Sequence, residues 1–300
     1  MNVFSIFVMT TKLIKERIAT RCVCCKSENL SSSPAVLMPF VAHRVFGWEP
    51  VVIDDTWGLR TIKHGNAYSI CNSLFCNDCR FLFLDIRFSE EELSKLYQDY
   101  RGQQYTELRE YYEPGYADRN ESIKAGCDYI HEVENFLRPY LTFPLTILDW
   151  GGDTGKNTPF RTNCRSLDIY DISSKAVEEG ATLLSKNEVQ SKKYSLIVCS
   201  NVLEHVSFPS ESLSEIILGM GSKSLLYIEV PLENVLIDNE SSPHLYKRHW
   251  HEHVNFYSEL SLRRLVQSAG LTLIDLKRLK TTVNGNPVHL FQVACRLNSL

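Results

Sequence analysis

The chain has 300 residues, of which 44% are hydrophobic and 23% charged, and its net charge is −4. These are ordinary values for a folded globular protein, with room for one large domain or two smaller ones. There is no basic run, which argues against a nucleic-acid partner, and no apolar run of membrane-spanning length, so the expected setting is the cytoplasm with no membrane partner.

Residues 1–20 read as a tail. Val3 to Met9 is apolar, but no positive charge precedes it and no small-residue cleavage site follows, so it is not a secretory signal. Met9 is an alternative start. Residues 21–88 hold six of the ten cysteines, and the other four (Cys127, Cys164, Cys199, Cys295) are scattered singly. Two Cys-x-x-Cys pairs stand out, "CVCC" with Cys22 and Cys25 and "CNDC" with Cys76 and Cys79. The short β-type runs "PVVID", "LRTIK" and "AYSICN" lie between them. Two thiol knuckles on small hairpins can bring four thiolates into a tetrahedron, the geometry that suits Zn2+. The expected ligands are therefore Cys22, Cys25, Cys76 and Cys79, with Cys24 and Cys71 as alternates. Reduced cysteines packed as small hydrophobes, or a redox pair, are the other readings. "SSSP", Ser31–Pro34, reads as a loop.

Residues 89–140 read as a helical connector. "SEEELSKLYQDY" places Ser89 as an N-cap and fills the first turn with acidic residues, where the helix dipole favours them. "YRGQQYTELREYYEPGY" is dense in tyrosine, arginine and glutamate, and is either an irregular connector or a lid and substrate wall. "NESIKAGCDYIHEVENFLRPYL" has the spacing of an amphipathic helix ending before Pro139.

Residues 141–300 alternate strand and helix. "LTILDW", "SLDIYD", "YSLIVCS" and "SLLYIEV" are buried strands, and "LTLIDLKRL" and "VHLFQVACRL" form a closing antiparallel pair. Helices are expected at Ser174–Glu179, Ser210–Gly219 and Glu259–Ala269. This alternation predicts a doubly wound α/β sheet with its ligand at the carboxyl ends of the strands. The first strand runs into "DWGGDTG", whose glycines let backbone approach a ligand, with a helix N-terminus expected to follow. Asp171, ending the second strand, is placed to accept hydrogen bonds from ribose hydroxyls.

"ILDWGGDTG" resembles the first motif of class I S-adenosyl-L-methionine-dependent methyltransferases, and "YSLIVCSNVLEHV" (Tyr194–Val206) resembles their fourth-strand motif. With the amino-terminal thiol pairs and the later "HEH", the chain is similar to zinc-binding methyltransferases that act on nucleotide-linked sugars, including sugar C-methyltransferases. The resemblance implies a Rossmann-like seven-stranded methyltransferase sheet with a small N-terminal zinc-binding β domain. It further implies that Asp149, Gly151, Gly152 and Gly155 surround the methionine part of the cofactor, that Asp171 binds its ribose, and that Ser200 and Asn201 lie near the sulfonium. The implied acceptor is a small molecule, a nucleotide-linked sugar; another small metabolite methylated on oxygen is the runner-up. Two departures from the pattern, Asp153 in place of a glycine and Ser195 in place of an aspartate, motivate a third reading, a degenerate cofactor-binding protein that serves as an interaction module.

"HWHEHVNFYS", His249–Ser258, lacks the His-Glu-x-x-His spacing of a zinc protease; a second metal site and a plain surface loop are the other readings of its histidines beside acid–base work. His251 and His253 are two apart, which on a strand points them the same way. Matched to the Tyr-x-Glu-His sequence of the sugar C-methyltransferases, His253 takes the place of the general base and Glu252 that of its carboxylate partner. Trp250 stands where the tyrosine would be, with Tyr105 or Tyr257 as substitutes. Tyr105, Arg109 and His251 are the expected substrate contacts, and His205 is expected to close the cofactor pocket.

Overall fold

The computed structural model describes residues 16–57, 65–118, 120, 129–283 and 286–298. The start of the chain, "LRTIK", Cys127 and the first part of the helix expected before Pro139 lie outside them. In chain order the strands are β1 (Leu30–Leu37), β2 (Val51–Ile53), β3 (Gly65–Ala67), β4 (Ile70–Cys76), β5 (Leu82–Leu84), β6 (Leu145–Trp150), β7 (Cys164–Tyr170), β8 (Thr182–Leu183), β9 (Tyr194–Ser200), β10 (Met220–Pro231), β11 (His249–Trp250), β12 (Asn255–Phe256), β13 (Leu271–Val283) and β14 (Asn286–Leu297).

The larger sheet has seven strands in the order β13-β14-β10-β9-β6-β7-β8. β8, β7, β6, β9 and β10 are parallel, β14 alone runs antiparallel between β10 and β13, and β13 has the direction of the parallel set. Its central strands carry apolar runs, Ile147–Leu148, Leu196–Cys199 and Leu225–Ile228, because both faces are covered. Successive residues of β9 split between the two faces. Leu196 and Val198 pack with Val133, Phe136 and Leu137 of the helix Ile130–Leu137, whereas Ile197 and Cys199 pack with Leu213 and Ile216 of the helix Pro209–Ile216 and Leu262, Leu265 and Val266 of the helix Glu259–Ser268. β6 has β7 on one side and β9 on the other, so the chain reverses its winding there and leaves a crevice at the carboxyl ends.

The second sheet has the order β11-β1-β4-β5-β12. Its three inner strands come from the cysteine-rich region, and both edges come from the histidine-rich one. β11 lies parallel to β1 (Val36 beside His249), and β12 lies antiparallel to β5 (Asn255 beside Phe83). A boundary at residue 141 therefore does not separate the strands of the two sheets. One face of this sheet contributes Leu74, Phe81 and Phe83 to the core that holds Tyr257 and Leu262, and the other packs Leu37, Leu82 and Leu84 against Phe40, Tyr105 and Trp250.

Three local expectations are corrected. Ser31–Pro34 is strand, not loop: β1 meets β11 only at Val36 and Leu37, so the preceding stretch is an edge where Pro34, lacking an N–H, is tolerated. Ser174–Glu179 is not helical. The Asp171 carboxylate accepts from Ser173 N–H at 2.8 Å and Ser174 takes φ +51°, a turn that breaks the helix before it starts. No α-helix follows the glycine turn either, since Asp153, Gly155 and Phe160 are all left-handed. β8 and the helix Lys186–Ser191, capped by Ser185 and Glu188, were not read from the sequence.

Candidate active site

A cavity of about 1350 Å³ opens at the carboxyl ends of β6, β7, β9 and β10. One wall is the turn after β6, with Asp149, Gly151, Gly152 and Asp153, and it continues through Asp171, Ser200 and Asn201. Gly151 has φ +80°, and a Cβ there would lie 2.4 Å from Val202; a Cβ on Gly152 would lie 2.5 Å from the Asp149 carboxyl carbon. The turn thus requires glycine at both positions. Asp171 Oδ2 accepts from Asp153 N–H at 2.9 Å, which ties the end of β7 to the glycine turn. Asp149 is buried with only Thr158 Oγ1 as a close donor, at 2.5 Å. Burial pushes its carboxyl up to about 7, and the Asp171 charge adds to the effect. Ser200 Oγ and Asn201 Nδ2 both donate to the buried Glu229, at 2.8 and 3.1 Å. Gly155 does not line the cavity; it packs beside Ile169 and Ala181 and shapes the turn from behind.

An adenosyl sulfonium ligand needs a glycine cradle, a carboxylate for ribose hydroxyls and an anion for its ammonium. The donor set fits, with Gly151–Gly152, Asp171 and Asp149. Ser195 lies off the cavity and closes the opposite end of β9 on Thr146 at 2.8 Å. Of the two departures, only Asp153 faces the ligand space, and Lys175 balances it at 3.1 Å.

The facing wall is the turn between β11 and β12. Because β11 and β12 cap opposite edges of the smaller sheet, residues 251–254 must cross its end, and this non-strand turn sends His251 and His253 in different directions. The Glu252 carboxylate is nearly enclosed. It accepts from Arg109 Nη1 at 2.9 Å and from the Tyr105 hydroxyl, and His251 Nδ1 stands 3.5 Å away. Burial works to raise its carboxyl, but the His251 hydrogen bond and the Arg109 charge outweigh it and hold the group well below the usual carboxylate range. Arg109 also binds Glu113 at 3.0 Å, and Glu113 binds His251.

His253 makes a separate set of contacts. Its Nδ1 lies 2.9 Å from Glu233 Oε1, and its ring meets that of His205 edge-on at 4.7 Å. Burial alone would lower the imidazolium's pKa; the Glu233 bond and the Glu204 charge raise it. His205 Nδ1 lies 2.7 Å from the Tyr97 hydroxyl and 3.1 Å from the Glu252 backbone oxygen, and burial drives that imidazole down to about 3.

Of the expected acceptor-side residues, Glu252, His253 and Arg109 line the cavity; Tyr105 and His251 stand behind it as supports for Glu252. Trp250 is in β11, fully buried, with Nε1 donating to Ser73 at 2.8 Å. The Tyr257 hydroxyl donates to the Leu203 carbonyl at 2.9 Å. Neither lines the cavity. The partner of His253 is Glu233 and not Glu252. Sequence reasoning missed Glu233, although its place just after "EVP" at the end of β10 was a signal. It also passed over Glu204, whose place beside His205 in "LEH" was visible.

Away from the cavity, Cys22, Cys25, Cys76 and Cys79 converge, with all four sulfurs within 4.8 Å of one another. The pairs Cys22–Cys79 and Cys25–Cys76 are each 3.6 Å apart. Metal–sulfur bonds of about 2.3 Å in a tetrahedron require sulfur spacings of roughly 3.8 Å, so the cluster fits zinc with little adjustment. The two knuckles are alike: Lys26 N–H returns to the Cys22 carbonyl at 2.8 Å and Arg80 N–H to that of Cys76 at 2.7 Å, each residue left-handed. The alternates fall elsewhere. Cys24 donates to the Ser261 carbonyl at 3.2 Å, and Cys71 is packed in the core on the other face of the sheet.

The family described as "Methyltransferase domain" matches residues 119–276, more than half of the chain, and the chain belongs to it. It is a class I S-adenosylmethionine-dependent methyltransferase. No curated protein matches it. Among solved structures it is similar to the Burkholderia thailandensis 1,6-didemethyltoxoflavin-N1-methyltransferase, solved with 1,6-didemethyltoxoflavin and S-adenosylhomocysteine, at 15% identity and a TM-score of 0.46 over 64% of this chain and 88% of that one. It is also similar to a putative methyltransferase from Bacillus halodurans C-125, at 10% identity and a TM-score of 0.43 over 58% of this chain and all of that one. No helix among the described residues is long and apolar enough to cross a membrane.

Proposed function

We propose that the protein methylates a small polar acceptor, a sugar carried on a nucleotide, with Asp149, Gly151, Gly152 and Asp171 holding the cofactor and His253 activating the acceptor. One observation carries this reading: a single cavity is lined on one side by the glycine turn and Asp171 and on the other by Glu252 and His253. S-adenosylmethionine supplies a sulfonium-bound methyl group for in-line displacement, and positioning is then most of the catalysis. Glu252, fixed by Arg109, Tyr105 and His251, forms a rigid anionic wall that suits sugar hydroxyls. Arg101, Tyr97, Tyr100 and Tyr116 complete the acceptor side, and an arginine among aromatic faces suits a nucleotide diphosphate. Zinc at Cys22, Cys25, Cys76 and Cys79 is structural in this reading. The test is turnover of nucleotide-sugar pools with labelled cofactor. His253→Gln is expected to keep cofactor affinity and lose about 10²–10⁴ in turnover, the scale of lost acid–base assistance. Labelling of another class of small molecule and not of nucleotide sugars refutes the acceptor assignment.

A further inference from the structure

Glu204 is the one buried carboxylate on the cavity wall for which the reading above finds no use. It is fully buried, and both of its side-chain oxygens lack a hydrogen-bond partner. Leaving such a group unpaired costs several kcal/mol in an apolar setting unless a positive charge or a proton meets it. What faces it is two imidazoles. His205 Nε2 stands 3.8 Å from Glu204 Oε1, and ligand atoms of Glu204, His205 and His253 all lie within 4.8 Å of one another.

The tautomers follow from their other contacts. The Nδ1 of His253 faces the Glu233 carboxylate, and that of His205 faces the Glu252 backbone carbonyl. Glu233 and the Glu252 carbonyl only accept, which favours the proton on each Nδ1; for His205 the Tyr97 hydroxyl, 2.7 Å from the same Nδ1, then serves as a second acceptor. In these tautomers the three side chains offer ligand atoms that converge on one point of the cavity wall. A carboxylate behind the distal nitrogen, as Glu233 is behind His253, is the arrangement that orients and strengthens a metal-binding histidine.

We infer that Glu204, His205 and His253 hold a divalent first-row transition cation at the acceptor side of the cavity. Two imidazoles and one carboxylate suit zinc, iron, cobalt or nickel better than magnesium or calcium, which prefer oxygen alone. Bonds of about 2.1 Å place such ligands roughly 3–3.5 Å apart, so the side chains close by less than about 2 Å when the cation binds. The site is distinct from the four-cysteine cluster, and the cavity leaves the cation an open face. This deepens the methyltransferase reading, on which it rests, and changes the role of His253: as a ligand it acts through the cation, which would polarise the acceptor oxygen, and not as a free base.

Cobalt(II) titration of the full-length protein with its cysteine site filled tests the inference, because thiolate charge-transfer bands mark the cysteine site and their absence marks a nitrogen–oxygen site. The expected result is a second equivalent without thiolate bands, lost in both Glu204→Gln and His253→Gln and bound about 10–100-fold more weakly in Glu233→Gln. His253 is partly exposed, so its variant keeps the test open where Glu204→Gln does not fold. Wild type that takes up only the thiolate-bound equivalent overturns the inference, as does a second equivalent retained in the His253 variant. Calorimetry with S-adenosylhomocysteine on the same samples separates the two readings. Cofactor binding without the second metal defeats the cation alone, and absence of cofactor binding defeats the methyltransferase reading.

Discussion

Asp149 and Asp171, the proposed cofactor contacts, differ in what their loss should do. Asp149 titrates near 7 because it is buried. A carboxyl whose folded pKa is raised gives stability that is present below its unfolded value, about 4, and lost as pH rises through about 7. The ligand-free protein should lose stability over that window, and Asp149→Asn should remove this part of the dependence in thermal melts. A cationic ammonium favours the ionised form, so S-adenosylhomocysteine should bind several-fold more tightly at about pH 8 than at about pH 6. A flat affinity profile would place the ammonium elsewhere. Asp171→Ala should weaken cofactor binding at least tenfold, since charge-assisted hydrogen bonds contribute about 1.5–3 kcal/mol each. It also frees Asp153 and Ser173, so the loss in calorimetry should exceed that of Asp153→Ala. Around Glu252, Arg109→Ala leaves a nearly enclosed anion without its cation and should cost about 3–5 kcal/mol in denaturant unfolding. Tyr105→Phe removes one donor and should cost about 1–3 kcal/mol. Equal costs would mean that Glu252 is neutralised in the folded protein.

At the scale of elements, what could be read in advance depended on whether a segment's structure is set locally. The strands β6, β7, β9 and β10 were legible because burial on both faces leaves a continuous apolar run, and Ser89 was legible because its capping box is closed by Glu92 three residues on. Ser31–Pro34 was not, because its strand character comes from Asn72 and its neighbours across β4. Ser174–Glu179 looked helical, but the Asp171 side chain takes the N–H of Ser173 just before it and Ser174 turns left-handed. In the site, the four cysteines and the glycine turn announce themselves by spacing. The partnership of His253 with Glu233, and that of Glu252 with Arg109, join segments that only the fold brings together. The match to a Tyr-x-Glu-His pattern pointed to a turn that lines the cavity and to Glu252 as the carboxylate beside His253, where the structure has Glu233.

For the whole molecule, the edges β11 and β12 make the cysteine cluster and the cavity interdependent. Cys76 ends β4 and Cys79 precedes β5, the strand that pairs with β12. Cys76→Ser should therefore do more than lose zinc. Metal binding in such a site is part of the folding free energy, so loosening β4 and β5 should also release the turn that carries Glu252 and His253. Turnover is expected to fall together with zinc content, while S-adenosylhomocysteine affinity, proposed to rest on β6 and β7, should change much less. Unchanged turnover in zinc-free protein would show that the β11–β12 turn holds its shape by itself.

The same pairing sets an order of events during synthesis. β1, β4 and β5 emerge early and close on local contacts, with four thiols at hand to bind metal. Their outer partners, such as His249 beside Val36, leave the ribosome about two hundred residues later. Until then the nascent small sheet carries two open edges, one of them bearing Pro34, whose missing N–H blunts it as a template for a neighbouring chain. The turn that carries Glu252 and His253 is thus among the last parts of the fold to close, and the nascent protein can shape the crevice at β6 and β7 before that facing wall exists.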